Sequence, residues 1–280
     1  MRFGVQIHVG RGLLRAAEEA RRKRLECVQI FPRNPRGWHA AAHDPDIDAE
    51  FRRRLVEYDI QPLFLHTAYL VNLASPDLAL LARSRAAVAA DLKRAGRLGA
   101  DSVIVHAGAH VGAGRQAGIA RLAASINALL RARHGPRLLL ENTAGAGSEL
   151  AGDFQDFVAI LDRIRRPERL AFCFDTCHAH VAGYDLSTPR GVKRAVDELD
   201  RAVGLSRLAL IHANDARAPA ASHWDAHTHI GEGTIGLAGF RALVNDPRLQ
   251  HLPVILETPL KCPDDDERNL ATIRRLVRRR

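Results

Sequence analysis

The chain predicts a (β/α)8 barrel, a TIM barrel filling a single domain across residues 1–280. Three observations predict it. Eight short apolar runs are spaced along the whole length. Stretches of helical period separate them, several closed by Gly. And in six consecutive runs, the third to the eighth, the apolar stretch closes on His, Asp or Glu.

In order, the strand candidates are "FGVQIHV" (3–9), "CVQIF" (27–31), "PLFLH" (62–66) and "SVIVH" (102–106). They continue with "RLLLEN" (137–142), "LAFCFDT" (170–176), "LALIHAN" (208–214) and "PVILET" (253–258). Between them, "DLALLARSRAAVAADLKRAGRLG" (77–99) and "GRQAGIARLAASINALLRARHG" (114–135) repeat apolar residues at spacings of three and four. Strands alternating with helices imply parallel β-α units, and eight units match the barrel in number and length. No linker or low-complexity segment interrupts them. The tail "RRLVRRR" reads as a frayed, solvated helix end.

A barrel gathers its chemistry at the C-terminal ends of its strands. Those ends carry His66, His106, Glu141, Asp175, His212 and Glu257. One histidine at a strand end is ordinarily a satisfied core residue, whereas six ionisable ends in succession are not explained by packing. Side chains alternate along a strand. In "LAFCFD", Leu170, Phe172 and Phe174 therefore face the helices, and Ala171, Cys173 and Asp175 face the interior. Asp175 points up at the barrel mouth, with Cys173 one layer beneath it.

"CFDTCHAH" (173–180) invites a Cys2His2 zinc-finger reading. That reading fails, because Cys173 falls inside the barrel and no second pair completes a tetrahedral site. Cys27, Cys173, Cys177 and Cys262 read as free thiols of a cytoplasmic protein. No apolar run is long enough to span a membrane, and the N-terminus lacks a signal-peptide core. The formal net charge of +9 favours an anionic partner, nucleic acid first. Only four of the 41 basic residues are Lys, a bias that a GC-rich genome also produces without functional meaning.

Imidazoles and carboxylates converging at one mouth call for cations to relieve the repulsion. Mixed N and O donors fit Zn2+, with Mn2+ or Fe2+ as alternatives. A bridging carboxylate would let six ligands hold two metals, a pair suited to phosphodiester hydrolysis. Two loops add candidates: His178 and His180, then His223, Asp225, His227, His229 and Glu232 in "SHWDAHTHIGEG" (222–233). Asp225 and His227 are two apart and face the same way in an extended loop, so with one histidine of the 178 region they complete a third site.

"ENTAG" at 141, "DTCHAHVAGYD" at 175, "HAND" at 212, "DAHTHIGEG" at 225 and "LET" at 256 resemble the endonuclease IV family, the zinc-dependent apurinic/apyrimidinic endonucleases. The resemblance runs from the first strand to the last. It implies three Zn2+ per chain, with Mn2+ as an alternative at one site. His66 and His106 would bind the first, Glu141 would bridge it to the second, and Asp175, His212 and Glu257 would complete the second. His178, Asp225 and His227 would hold the third. The implied substrate is double-stranded DNA, cut 5′ to an abasic site by a metal-bound hydroxide to leave a 3′-hydroxyl and a 5′-deoxyribose phosphate. Removal of 3′-blocking groups is a related activity. Tyr69 and Leu70 in "HTAYLVNLASP" (66–76) would wedge into the duplex, and Arg36 in "FPRNPRGW" (31–38) would fill the gap, with Asn34 and Trp38 nearby. No membrane and no obligate protein partner is implied, and a monomer is the default.

The chain departs from the family pattern at "HVG" for "HVS", at Ala107 for a proline, and at "SHWDAH". There His223 and Ala226 stand where the pattern has two arginines. Two other classes compete: a metal-dependent sugar isomerase or epimerase on the same barrel, and a catalytically idle nucleic-acid-binding barrel. Neither needs all nine ligand types.

Overall fold

The computed structural model describes residues 1–39 and 43–278. Its strands are β1 (Arg2–Ile7), β2 (Cys27–Ile30), β3 (Leu63–His66), β4 (Ser102–His106), β5 (Arg137–Glu141), β6 (Leu170–Asp175), β7 (Leu208–His212), the short β8 (Asp215–Ala216) and β9 (His227–Thr228), and β10 (Pro253–Leu256). Eight of them close a parallel barrel in the order β1-β10-β7-β6-β5-β4-β3-β2, while β8 and β9 form a separate antiparallel pair. The eight expected strands are the eight barrel strands, with no end shifted by more than two residues.

Alternation sorts the side chains as expected. Ala171 and Cys173 join Cys27, Phe64, Ile104, Leu139, Leu210 and Ile255 in one buried cluster that draws on seven barrel strands. Leu170, Phe172 and Phe174 belong to the larger core between strands and helices. Space inside is tight. A Cβ on Gly4 would stand 2.0 Å from Cys27 O, so β1 can carry only glycine there.

The outer helices include α1 (Leu13–Arg22), α2 (Pro45–Glu57), α3 (Leu78–Leu98), α4 (Arg115–Leu129) and α5 (Phe154–Leu161). After β6 come α6 (Thr176–Ala182) and α7 (Pro189–Val203), and later α8 (Gly236–Val244) and α9 (Asp265–Leu276). Asp77 caps α3 by accepting from Ala79 N and Leu80 N, and Gly99 ends it at φ 68°. The helix expected over 114–135 stops early, at Leu129. Arg169 donates to the carbonyls of Ala132, His134 and Pro136, which holds the following segment out of helical pairing. As far as Arg278 the tail is tied to the barrel and not frayed. Arg274 donates to Arg24 O at 2.8 Å and pairs with Glu26 at 3.2 Å, while Arg279 and Arg280 lie outside the described residues. Among the described residues no helix is long and apolar enough to cross a membrane.

Candidate metal centre

Strand register assembles the site. His106 pairs in register with Glu141, and Asp175 with His212, across neighbouring strands. Glu141 is fully buried at the centre. Its Oε2 faces His66 Nε2 at 3.2 Å and His106 Nε2 at 3.4 Å. Its Oε1 faces His212 Nδ1 at 2.9 Å. That same Nδ1 lies 3.3 Å from Glu257 Oε2 and 3.9 Å from Asp175 Oδ2. One carboxylate thus serves two donor groups, one oxygen each: His66–His106–Glu141 and Glu141–Asp175–His212–Glu257.

The third group comes from α6 and the loop after β8. Asp175 ends β6 and also caps α6, accepting from His178 N at 2.8 Å. This cap fixes the first turn and sends the His178 ring across the mouth. His178 Nε2 then lies 3.2 Å from Asp225 Oδ2, and His227 Nε2 lies 3.2 Å from Asp225 Oδ1. The β8–β9 pair sets Ala216 opposite His227 and holds the loop in place.

Each of four histidines is anchored through one nitrogen and leaves the other for the centre. His66 Nδ1 donates to Thr67 O, His178 Nδ1 to Asn142 O, and His227 Nδ1 to Glu257 O. His212 Nε2 donates to Gln29 Oε1 at 2.8 Å. This is the arrangement by which an outer hydrogen bond selects the tautomer and orients a metal-binding imidazole.

Charge follows from the geometry. Burial alone would raise the Glu141 carboxyl, but His212 and His106 override it and hold the group well below the usual carboxylate range. Glu257 is likewise lowered, His212 outweighing its burial. Burial opposes the charged imidazoles of His178, His212 and His227, yet Asp175 and Asp225 raise the first, Cys173 and Glu257 the second, and Asp225 and Cys177 the third, all well above 6.5. The donor set fits divalent cations, which would balance the facing carboxylates. His227 Nε2 adds a specific sign: it is buried without a hydrogen-bond partner among the described residues, although carboxylate oxygens of Asp225 and Asp175 stand 3.2 and 3.9 Å away.

The other loop candidates lie elsewhere. His180 is buried with its pKa lowered by that burial; its Nδ1 accepts from Leu186 N and its Nε2 donates to Thr234 Oγ1. His229 bonds Asn269, Glu232 lies by Arg268, and His223 turns its Nδ1 onto Ala144 O. All four cysteines are free, and burial pushes Cys27 and Cys173 up to about 12. Cys177 comes nearest the loop, its Sγ 3.9 Å from Asp225 Oδ1.

At the rim, Tyr69 is 57% and Leu70 39% exposed. Tyr69 N donates to Pro35 O, tying its loop to the one holding Asn34 and Arg36. Arg36 and Tyr69 line a cavity of about 510 Å3 together with Gln6 and Glu257. Asn34 Oδ1 accepts from Arg36 N and shapes that turn. Trp38 is set apart: its ring packs on the core with the Arg83 guanidinium 4.6 Å above it.

Two residues missed in the sequence support the centre. Gln29 Nε2 donates to Glu257 Oε1 at 2.6 Å and to Gln6 Oε1 at 2.8 Å, while its Oε1 holds His212. Asn214 donates to Asp175 Oδ2 at 2.6 Å and accepts from Glu257 N at 2.8 Å. Their signal was an amide at an inward strand position or just past a strand end. Gln29→Ala frees both His212 and Glu257, so metal affinity at their site is expected to fall by about 10- to 100-fold. A competitive chelator titration measures this, and unchanged affinity would show that Gln29 does not position the ligands.

Known proteins resemble this chain throughout. A family model described as "Xylose isomerase-like TIM barrel" matches residues 17–279. "Probable endonuclease 4" of Chloroflexus aurantiacus is 41% identical over 99% of this chain and 98% of its own length. The crystal structure of endonuclease IV from Thermus thermophilus superposes with a TM-score of 0.88 at 35% identity, covering 99% of this chain and 98% of that one. A D-tagatose 3-epimerase-like protein shares the fold at a TM-score of 0.77 and 18% identity, covering 99% and 97%. Full-length similarity to the first two, at that level of identity, places the chain in the endonuclease IV family.

Proposed function

We propose that this protein hydrolyses the phosphodiester 5′ to abasic sites in double-stranded DNA, with three Zn2+ held by the nine side chains of the centre. The observation that carries the proposal is Glu141, whose two oxygens face two separate donor groups. Such a carboxylate suits a pair of cations, and paired cations suit in-line displacement at phosphorus. His66 and His106 would hold the first, and Asp175, His212 and Glu257 the second. His178, Asp225 and His227 would hold the third.

When bound, the cations supply neutralisation of the phosphodiester oxygens and activation of water at neutral pH. The chain's own residues do the positioning. Gln29 and Asn214 hold His212, Glu257 and Asp175 in their orientations. Asp175 makes one rigid unit of two donor groups, because it belongs to one and caps the helix bearing His178 of the other. Tyr69 and Leu70 stand exposed at the rim, where an apolar pair can enter the stack beside a displaced nucleotide. Arg36 lines the cavity beside them and brings positive charge to the backbone.

Elemental analysis of purified, zinc-loaded protein is expected to find about three Zn2+ per chain. About one metal per chain, with sugar isomerisation in place of DNA cleavage, would favour the isomerase reading and overturn this one.

A further inference from the structure

Trp224 is 62% exposed, and among the described residues no aromatic ring or guanidinium covers it. It immediately precedes Asp225 of the third donor group, so its backbone lies about 3.8 Å from that residue's. The loop beneath it is pinned rather than free. Ala221 N donates to His180 O, His223 N to Val181 O, Arg217 N to Ala226 O, and Trp224 N to Ser222 Oγ. His223 is held at φ 55° with its ring turned onto Ala144 O. The fold therefore pins the backbone of an exposed indole next to the third donor group, although burying a Trp is among the larger apolar gains a chain can make.

Charge narrows what it meets. From Ser222 to Thr228 the loop carries no Lys or Arg. Its two positions that the family pattern gives to arginine hold His223 and Ala226. Ser222, His223, Trp224 and Asp225 are exposed there, and Trp224 is the large apolar group among them, a face on which a nucleobase can stack. A fully paired base hides its faces in the duplex, so the base must be unstacked.

We infer that Trp224 stacks on an unstacked nucleobase flanking the scissile phosphate, giving the enzyme a preference for nicked or frayed DNA over continuous duplex. The inference rests on the proposed nuclease function and adds a specificity-determining residue to it. Stacking releases few counterions, so the contribution differs in kind from an arginine–phosphate contact, which weakens with salt.

The test uses the zinc-loaded enzyme and two probes: a duplex carrying a single nick, and the same duplex continuous, neither containing an abasic site. In a Trp38→Phe background Trp224 is the sole tryptophan. Its fluorescence is expected to be quenched by the nicked duplex and little changed by the continuous one. Trp224→Ala is expected to weaken binding of the nicked duplex by about 10-fold at low and high salt alike, with zinc content unchanged. Trp224→Phe, which keeps a ring, should retain most of the affinity. Unaltered fluorescence and affinity, in an enzyme that still cuts at abasic sites, would overturn the inference and leave the nuclease reading standing. A loss that vanishes at high salt would overturn it too, since stacking does not screen. Wild-type protein that binds neither duplex and cuts nothing would overturn both.

Discussion

Glu141→Gln is expected to lower cleavage at an abasic site by at least about 10^3-fold, roughly 4 kcal/mol of transition-state stabilisation. The amide keeps the shape of the carboxylate but loses its charge, and only one of its two atoms can accept. In the native centre both oxygens are committed, Oε2 toward His66 and His106 and Oε1 toward His212. An NH2 group at either position would point donors at imidazoles and repel a cation. The defect should therefore show first as lost metal in the His66 and His212 groups, and the rate should fall with it. Single-turnover kinetics beside elemental analysis separate the two. A variant with full metal content and near-native rate would remove Glu141 from its bridging role.

The second large effect concerns stability without metal. His178, His212 and His227 have raised folded-state pKa values, against the opposing cost of burial; carboxylates raise all three, with Cys173 adding to His212 and Cys177 to His227. Their charge stabilises the metal-free fold fully below the unfolded imidazole value of about 6.5, and the contribution is lost as pH rises through the raised values. Glu141 and Glu257 are lowered, so their contribution is present above about pH 4.3 and is lost only as pH falls through the lowered values. Once the histidines are neutral, Glu141, Asp175, Asp225 and Glu257 face one another with nothing to balance them. The gap in Tm between zinc-loaded and chelator-treated protein should widen from about pH 6 to about pH 9. Below neutrality it should shrink, because protons compete with metal for the same nitrogens. A gap that stays constant over that range would show that these side chains do not bind the metal.

Much of this was legible because the strand ends break a rule. An apolar run that closes on His106 or Glu141 has no packing reason to do so, and register then brings the two together. Gln29 and Asn214 were hidden for a related reason: an amide does not titrate, so ionisable strand ends do not point to it. The choice between His178 and His180 depended on where α6 begins. Two residues along a helix turn the side chain by about 200°, so one ring enters the mouth and the other the core. Nothing in "DTCHAH" fixes that start until Asp175 is seen to cap the helix. The place of His229 was equally hidden. Its partner Asn269 lies 40 residues away in α9, a contact that only the closed barrel creates.

The most direct test is a duplex with one synthetic abasic site, labelled at either end and incubated with zinc-loaded protein. A single break immediately 5′ to the site is expected, with a 3′-hydroxyl that a polymerase extends, and no cutting of intact duplex or after chelation. Cleavage on the 3′ side, cleavage that survives metal removal, or an untouched abasic strand would contradict the proposed reaction.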